Sequence, residues 1–182
     1  MRVVVYQGQY GVFKKDELDL TMPAVQTCIG LYAISEQHDY ILCAHFDTEL
    51  RLLQNLQDIK QSLERKGISI MSLRATIFGG DGIQSYMRCT SPSTHIGNKI
   101  IHFLKTQGSF AEYSSQNYSG FVPKTFNFIY KRGCKITEGR NPRDFSGGSP
   151  LAEQLAIKRI RVRPEHYTFA QAKMEDVSRL YL

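Results

Sequence analysis

The chain has 182 residues, an ordinary apolar fraction of 42% and a formal charge of +6, and these values exclude a disordered or low-complexity protein. They favour one domain with a proper core and a partner that has an acidic surface. No apolar run approaches the roughly 20 residues that cross a bilayer, and the N-terminal apolar run is too short for a secretory signal. We therefore expect a cytoplasmic protein without membrane insertion, for which signal-independent export as an effector stays open.

The first half of the chain predicts four strands and one helix. Isoleucine and leucine recur at helical spacing over residues 48–66, with Asp47 or Thr48 as the N-cap and Gly67 as the stop. Short runs of β-branched and aromatic residues predict strands at residues 3–6, 8–12, 25–34 and 40–46. A polar turn joins the last two strands, which indicates an antiparallel hairpin.

The second half predicts a further strand, a helix and a hairpin, at residues 68–78, 96–106 and 125–137. These elements together favour an α/β fold, a layered sandwich with mixed, mostly antiparallel sheets. A glycine-rich and proline-rich stretch at 139–150 divides a domain of residues 1–138 from a C-terminal extension of residues 139–182.

The C-terminal extension contains three predicted elements. A short helix begins at Leu151, and the basic run 158–163 reads as a half-buried strand with a solvated face. Thr168 and Gln171 form a capping box for a final helix, whose apolar face would pack on the core.

Cys28 and His45 are the pair on which a catalytic interpretation depends. Cys28 stands near the start of one predicted strand and His45 near the end of the next, so a hairpin would place the thiol beside the imidazole. Such a pair is the minimum for nucleophilic attack on an amide carbon, and the imidazole should lower the pKa of the thiol. Two alternatives stay open: both side chains are core residues, or they form a metal site with Cys43, although no second ligand pair accompanies them.

The glycine-rich segment 79–82 follows a predicted strand. It lacks the Lys-Ser/Thr of a phosphate loop and the glycine pattern of a dinucleotide site. We expect a tight bend in which Gly79 and Gly80 allow the backbone of a peptide substrate to approach.

Six ordered segments resemble the CheD family, the chemoreceptor glutamine deamidases: residues 8–12, 21–28, 44–46, 77–81, 95–98 and 126–136. The spacing from Cys28 to His45 is similar to that between the family's nucleophile and histidine. The resemblance implies a layered α/β sandwich, similar to the catalytic domains of cytotoxic necrotizing factor toxins, which also deamidate glutamine. It covers residues 1 to about 137 and leaves the C-terminal extension without a counterpart.

The resemblance implies a protein-glutamine glutaminase with catalytic residues Cys28, His45 and Thr21. The family's threonine stands six residues before its cysteine, where this chain has Met22, so a one-residue bulge must restore Thr21. Otherwise Thr27 or Gln26 takes the third role. Gln26 and Thr27 replace the family's Gly-Ser, and with Gly79 and Gly80 they would contact the substrate.

The expected substrate is a glutamine-bearing protein, either a chemoreceptor or a host protein, and the chemistry needs no cofactor or metal. Three rival hypotheses remain. One is a non-catalytic protein-binding module on the same fold. Another is nucleic-acid binding through the basic run 158–163, which no recognised module accompanies. The third is transglutamination, in which an amine replaces water.

Overall fold

The computed structural model describes residues 1–80, 93–114, 122–139 and 141–181. Within these residues it contains three α-helices, α1 (Leu52–Arg65), α2 (Thr94–Thr106) and α3 (Pro150–Ile160). The strands are β1 (Arg2–Val4), β2 (Gln9–Lys14), β3 (Asp19–Val25), β4 (Ile29–Ser35), β5 (Tyr40–Phe46), β6 (Leu73–Gly79), β7 (Phe110–Tyr113), β8 (Lys124–Ile129), β9 (Gly133–Glu138) and β10 (Glu175–Asp176).

The strands form two mixed sheets. Sheet A has the order β1-β3-β8-β9, and sheet B has the order β10-β2-β5-β4-β6-β7. Most neighbouring strands are antiparallel, and the parallel pairs are β1 with β3, β2 with β10, and β6 with β7. The predicted layered α/β sandwich with mixed, mostly antiparallel sheets is therefore confirmed.

Sheet B is the central layer, because both of its faces are buried. Along β4, Leu31 and Ala33 face the core formed with α1 and α2, whereas Tyr32 and Ile34 face sheet A. This alternation is the period-two pattern of a strand that is covered on both sides. Tyr32 stacks on Phe126 of sheet A with ring centroids 4.2 Å apart, which joins the two sheets.

The predicted strand 25–34 is divided between the two sheets. Val25 ends β3 in sheet A, residues 26–28 form a bend, and Ile29 begins β4 in sheet B. The reason is packing: Val25 is buried in the core between the sheets, whereas Ile29 is buried in the core under the helices. Cys28 therefore lies on the connection between sheets, immediately before β4.

Helix α1 starts later than predicted. The predicted caps, Asp47 and Thr48, do not cap it, because Arg51 precedes the first helical residue in the left-handed conformation, with φ 64°. The carboxylate of Asp47 accepts hydrogen bonds from Arg159 instead. Thr48 accepts from the backbone N–H of Leu50, 3.1 Å away, within the turn that leads to the helix.

The C-terminal extension differs most from the predictions. Its basic run is not a strand, because residues 158–160 end α3. The capping box of Thr168 and Gln171 forms, with the Thr168 N–H 2.9 Å from Gln171 Oε1, but a turn and β10 follow it instead of a helix. The short strand β7 was not predicted.

The extension packs on the rest of the chain. Strand β10 pairs in parallel with β2, and Ala152 and Val177 are fully buried in the core between the sheets. Phe169, which we expected to pack on the core from the apolar face of the predicted final helix, is 52% exposed. None of the described helices is long and apolar enough to cross a membrane.

Candidate functional site

The structure places Cys28 in the bend that leads into β4 and His45 on the neighbouring strand β5. The predicted hairpin of β4 and β5 forms, and its register pairs Gly30 with His45. Cys28 lies two residues before Gly30 and packs against the core between the sheets, toward which Cys43 also points from β5. The register thus brings His45 beside Gly30, close to the segment that carries Cys28, while Cys28 itself lies outside the sheet.

His45 is a buried histidine without a well-formed hydrogen bond. It is 3% exposed, and neither imidazole nitrogen has a well-formed hydrogen bond within the described part of the chain, although the Val5 backbone lies close enough to favour the charged ring. Burial lowers the pKa of His45 to about 4, while the Asp47 carboxylate and the Val5 backbone act in the opposite direction. The ring is therefore neutral near pH 7 and can accept a proton.

The thiol of Cys28 does not have the lowered pKa that the sequence predicted. Burial raises its pKa, the charge of Asp47 adds to the rise, and Arg159 opposes it. His45 is not among the groups that shift the pKa of Cys28. The backbone N–H of Cys28 itself favours the thiolate. In the free protein the pair is thus a protonated thiol and a neutral imidazole.

We expect Cys28 to react slowly with iodoacetamide in the folded protein near pH 7.5, because its raised pKa leaves little thiolate. Cys134, which is partly buried and has a pKa raised to about 11, should react before Cys28. Mass-mapped alkylation kinetics measure both rates, and the difference should vanish in denaturant. Fast alkylation of Cys28 in the native protein would show that the imidazole does activate the thiol.

The third predicted residue, Thr21, is not brought to His45. A one-residue bulge does occur, because Met22 pairs with Phe126 and Val25 pairs with Lys124. The bulge keeps Met22 and Val25 both directed into the core between the sheets. Thr21 consequently points to the opposite side of sheet A.

The hydroxyl of Thr21 is occupied there by two other side chains. It donates to Asn127 Oδ1 at 2.8 Å and accepts from the guanidinium of Arg2. The bulge that was expected to bring Thr21 to the site is therefore the feature that turns it away.

Gly79 and Gly80 contact the cysteine segment and not an open surface. Both have positive φ, and a Cβ on Gly79 would lie 2.7 Å from the Cys28 carbonyl oxygen. The Gly80 N–H donates to the carbonyls of Gln26 and Cys28, each 2.9 Å away. The backbone that approaches these glycines is that of residues 26–28 and not that of a substrate. Gly79 and Gly80 therefore fix the bend that carries Cys28. Gln26 and Thr27 are half-buried on that bend, and Asp81 and Gly82 lie outside the described residues.

A buried ion pair beside the site was not predicted. The guanidinium of Arg159 binds both carboxylate oxygens of Asp47, at 2.7 and 2.8 Å, and the Tyr167 hydroxyl donates to the same carboxylate at 2.9 Å. Arg159 also donates to the backbone carbonyls of residues 171–173. The positive charge of Arg159 is therefore balanced by Asp47 within the protein. The only sequence signal was an arginine within the run that we predicted as a half-buried strand with a solvated face.

Gly8 allows this ion pair to form. A Cβ at Gly8 would lie 2.0 Å from Arg159 Nε, so no other residue fits under the guanidinium without displacing it. The pair fastens α3 to the end of β5, directly next to His45.

A cavity of about 370 Å³ opens above His45. Its floor includes His45 and the bulge residues Pro23 and Ala24, and α3 forms one wall through Glu153 and Ile157. Cys28 is not among the lining residues. His45 therefore helps to line a cavity that the C-terminal extension also builds, while both imidazole nitrogens remain buried. Sequence reasoning did not assign this role to the extension.

Stability should fall as the pH drops from about 6.5 to about 4, in part through His45. In this interval the unfolded state binds a proton at His45 that the folded state, with a pKa of about 4, does not bind. The loss from this residue is about 3 kcal/mol over the whole interval. Urea unfolding at about pH 7 and about pH 4 should show a smaller pH effect for His45→Leu than for the native chain. His102→Asn, a change at an exposed histidine, should retain the full effect, and equal slopes for all three proteins would contradict the assignment.

Within the described residues, no group of three histidine, cysteine or acidic side chains gathers as a metal site. Cys28, Cys43 and Cys134 are free thiols, and Cys89 lies outside the described residues. The metal alternative built on Cys28, Cys43 and His45 thus has no three-ligand cluster in this part of the chain.

No family model matches this chain, and no curated protein matches it. Among solved structures, a Neisseria meningitidis protein assigned to the family DUF152 is similar, with a TM-score of 0.41 and 11% identity. The similarity covers 63% of this chain, and the chain spans 64% of the length of that protein. A match of this extent does not bear on function.

Proposed function

We propose that the protein is a thiol-dependent protein glutamine deamidase, in which Cys28 is the nucleophile and His45 the general base. The observation that supports the proposal most is the position of His45. A neutral, buried imidazole without a well-formed hydrogen bond lies on β5, opposite the start of β4 and close to the bend that carries Cys28, and His45 is among the residues that line a cavity. A buried imidazole without hydrogen bonds lowers the stability of the fold, so a histidine with only a structural role is not expected at this position.

The proposed reaction has two steps. Cys28 Sγ attacks the carboxamide carbon of a substrate glutamine while His45 accepts the thiol proton, and the C–N bond then breaks as that proton passes to the leaving nitrogen. Ammonia departs and a thioester remains. Water, deprotonated by His45, attacks the thioester, the C–S bond breaks, and glutamate and the Cys28 thiol are formed.

Substrate binding must bring the two side chains closer together. In the free protein the thiol and imidazole make no hydrogen bond, as is common for catalytic groups before substrate is bound. The bend at residues 26–28 is the element that would have to adjust, because it belongs to neither sheet; its movement would break the hydrogen bonds from the Gly80 N–H to the carbonyls of Gln26 and Cys28.

In this proposal, a group other than Thr21 assists His45. Asp47 and the backbone of Val5 both favour the protonated imidazole. Asp47 is already bound by Arg159 and Tyr167, so the Val5 backbone is the better candidate to accept a hydrogen bond from the ring when it becomes charged. A backbone acceptor has no signature in the sequence.

Mass spectrometry tests the proposal directly. Chemoreceptor fragments and host proteins with acidic surfaces are incubated with the protein, and each deamidated glutamine should add about 1 Da with release of one ammonia. An added primary amine distinguishes transglutamination, because the amine's mass is then incorporated. Binding of a partner without mass change or ammonia would instead support the non-catalytic module.

A further inference from the structure

Helix α3 packs on the rest of the chain through small residues and leaves its large apolar residues outside. Its buried residues are Ala152 and Ala156. Leu151, Ile157 and Ile160 are 51%, 46% and 57% exposed. A surface helix ordinarily directs its large apolar residues to the core and its polar residues to solvent. The reversed arrangement in α3 is typical of a surface that binds a partner.

Two of these exposed side chains belong to the cavity that His45 helps to line. Ile157 and Ile160 line it together with Phe145, which is 37% exposed. The three side chains thus form one patch around a concave surface, whereas a single exposed apolar residue would need no explanation. The cavity volume of about 370 Å³ far exceeds the roughly 30 Å³ that a water molecule occupies in the liquid, so a whole side chain can enter.

The cavity adjoins the segment that carries Cys28. Pro23 and Ala24 of the bulge in β3 are among its lining residues, and the bend at residues 26–28 follows them in the chain. Both imidazole nitrogens of His45 are buried, so at this point the cavity offers shape and apolar surface and no hydrogen bond to the ring. A side chain that fills the cavity therefore belongs to a segment lying close to the Cys28 bend.

An exposed basic stripe accompanies the apolar one on α3. Ile157 and Ile160 lie three residues apart and share one face of the helix with Glu153. Lys158 and Arg161 each follow one position later, are exposed, and make no ion pair with any described residue. Carboxylates of a partner would be attracted to these two cations. Because Glu153 itself lines the cavity, such carboxylates belong over the basic stripe and not inside the cavity.

We propose that this surface docks a segment of the substrate protein in which large apolar side chains are flanked by acidic residues. An apolar side chain fills the cavity against Ile157 and Phe145, and the acidic residues lie over Lys158 and Arg161. The inference rests on the proposed function, since it names the class of segment that is held beside Cys28. It assigns substrate selection to the C-terminal extension and the chemistry to the rest of the chain.

Fluorescence anisotropy tests the docking without catalysis, on the full chain carrying Cys28→Ala. The probe is the peptide fluorescein-Asp-Glu-Phe-Glu-Gln-Phe-Glu-Asp-amide, which should bind saturably. A peptide with serine in place of both phenylalanines, and one with lysine in place of all acidic residues, should each bind at least about tenfold more weakly, a difference of about 1.4 kcal/mol. Raising sodium chloride from about 0.05 to about 0.5 M should weaken binding of the acidic peptide, because salt screens the exposed cations.

Substitutions on α3 locate the surface. Ile157→Ser should weaken binding of the acidic peptide at least about tenfold, and Lys158→Glu should weaken it about fivefold. Both side chains are exposed enough for the fold to tolerate the change. The matched controls are Leu53→Ser, an equally exposed apolar residue on α1, and Lys105→Glu, an exposed lysine on α2, and neither should alter binding.

The docking proposal is overturned if the peptide does not bind at about 1 mM, if the serine peptide binds as well, or if Ile157→Ser acts no differently from Leu53→Ser. A dimer in sedimentation velocity that Ile157→Ser dissociates would assign the surface to a second copy of the chain and overturn the proposal too. Specific binding by a chain that releases no ammonia from any bound peptide or protein would uphold the docking surface and count against the reaction alone. Deamidation that Ile157→Ser does not slow would count against the docking alone.

Discussion

Replacing Arg159 with leucine should lower the free energy of unfolding by about 3–5 kcal/mol, because it leaves the Asp47 carboxylate buried without its partner. The Asp47 side chain is 0% exposed and that of Arg159 is 10% exposed, so solvent cannot take the place of the missing cation. The same change releases the carbonyls of residues 171–173, which hold the C-terminal extension against β2. For a domain of ordinary stability, about 5–15 kcal/mol, this loss is a large fraction of the total.

Urea unfolding followed by circular dichroism measures the effect, and Arg161→Leu is the matched control. Arg161 belongs to the same basic run and loses the same charge, but it is exposed, so its replacement should change stability by less than about 0.5 kcal/mol. Combining Arg159→Leu with Asp47→Asn should recover part of the loss, since the unpaired charge is removed. If Arg159→Leu is no more destabilising than Arg161→Leu, the ion pair has no structural role.

The second large effect concerns activity. Cys28→Ala should reduce the rate of glutamine deamidation by at least about a thousandfold, as removal of a covalent nucleophile does in other hydrolases. The fold should remain, because Cys28 is only half-buried and alanine fills most of its space. Ammonia release and intact mass of a substrate protein measure the rate, and circular dichroism checks the fold.

Cys43→Ala is the control for this experiment. Cys43 lies on β5 and on the same face as His45, but it is fully buried in the core between the sheets. Its replacement should cost stability and leave the rate per folded molecule within a few-fold of the native value. Native activity in Cys28→Ala, or loss of activity in a well-folded Cys43→Ala, would assign the reaction to another residue.

The local sequence pattern was sufficient to predict the parts of the fold that depend on contacts between residues close together in the chain. Residues 40–46 alternate in a period of two, and the polar turn before them fixes the hairpin with β4, so the positions of Cys28 and His45 on neighbouring segments could be predicted. The leucine spacing of α1 and the turn between β8 and β9 could also be recognised in the sequence. In each case the deciding contacts lie within about 20 residues along the chain.

Contacts between distant segments decided the rest, because their energies depend on partners that no local pattern identifies. The sequence around Arg159 does not show that it pairs with Asp47, the buried residue that follows β5. The capping box at Thr168 is followed by β10, which pairs with β2, and not by a helix. A bulge before Cys28 was one of two alternatives that Met22 left open. The bulge forms, and because both Met22 and Val25 are buried in the core between the sheets, Thr21 points away from that core. The sequence thus determined that the segment of Cys28 and the strand of His45 are neighbours, whereas the tertiary structure determined the protonation of both groups, through burial, and formed the cavity that His45 helps to line, through the docking of α3.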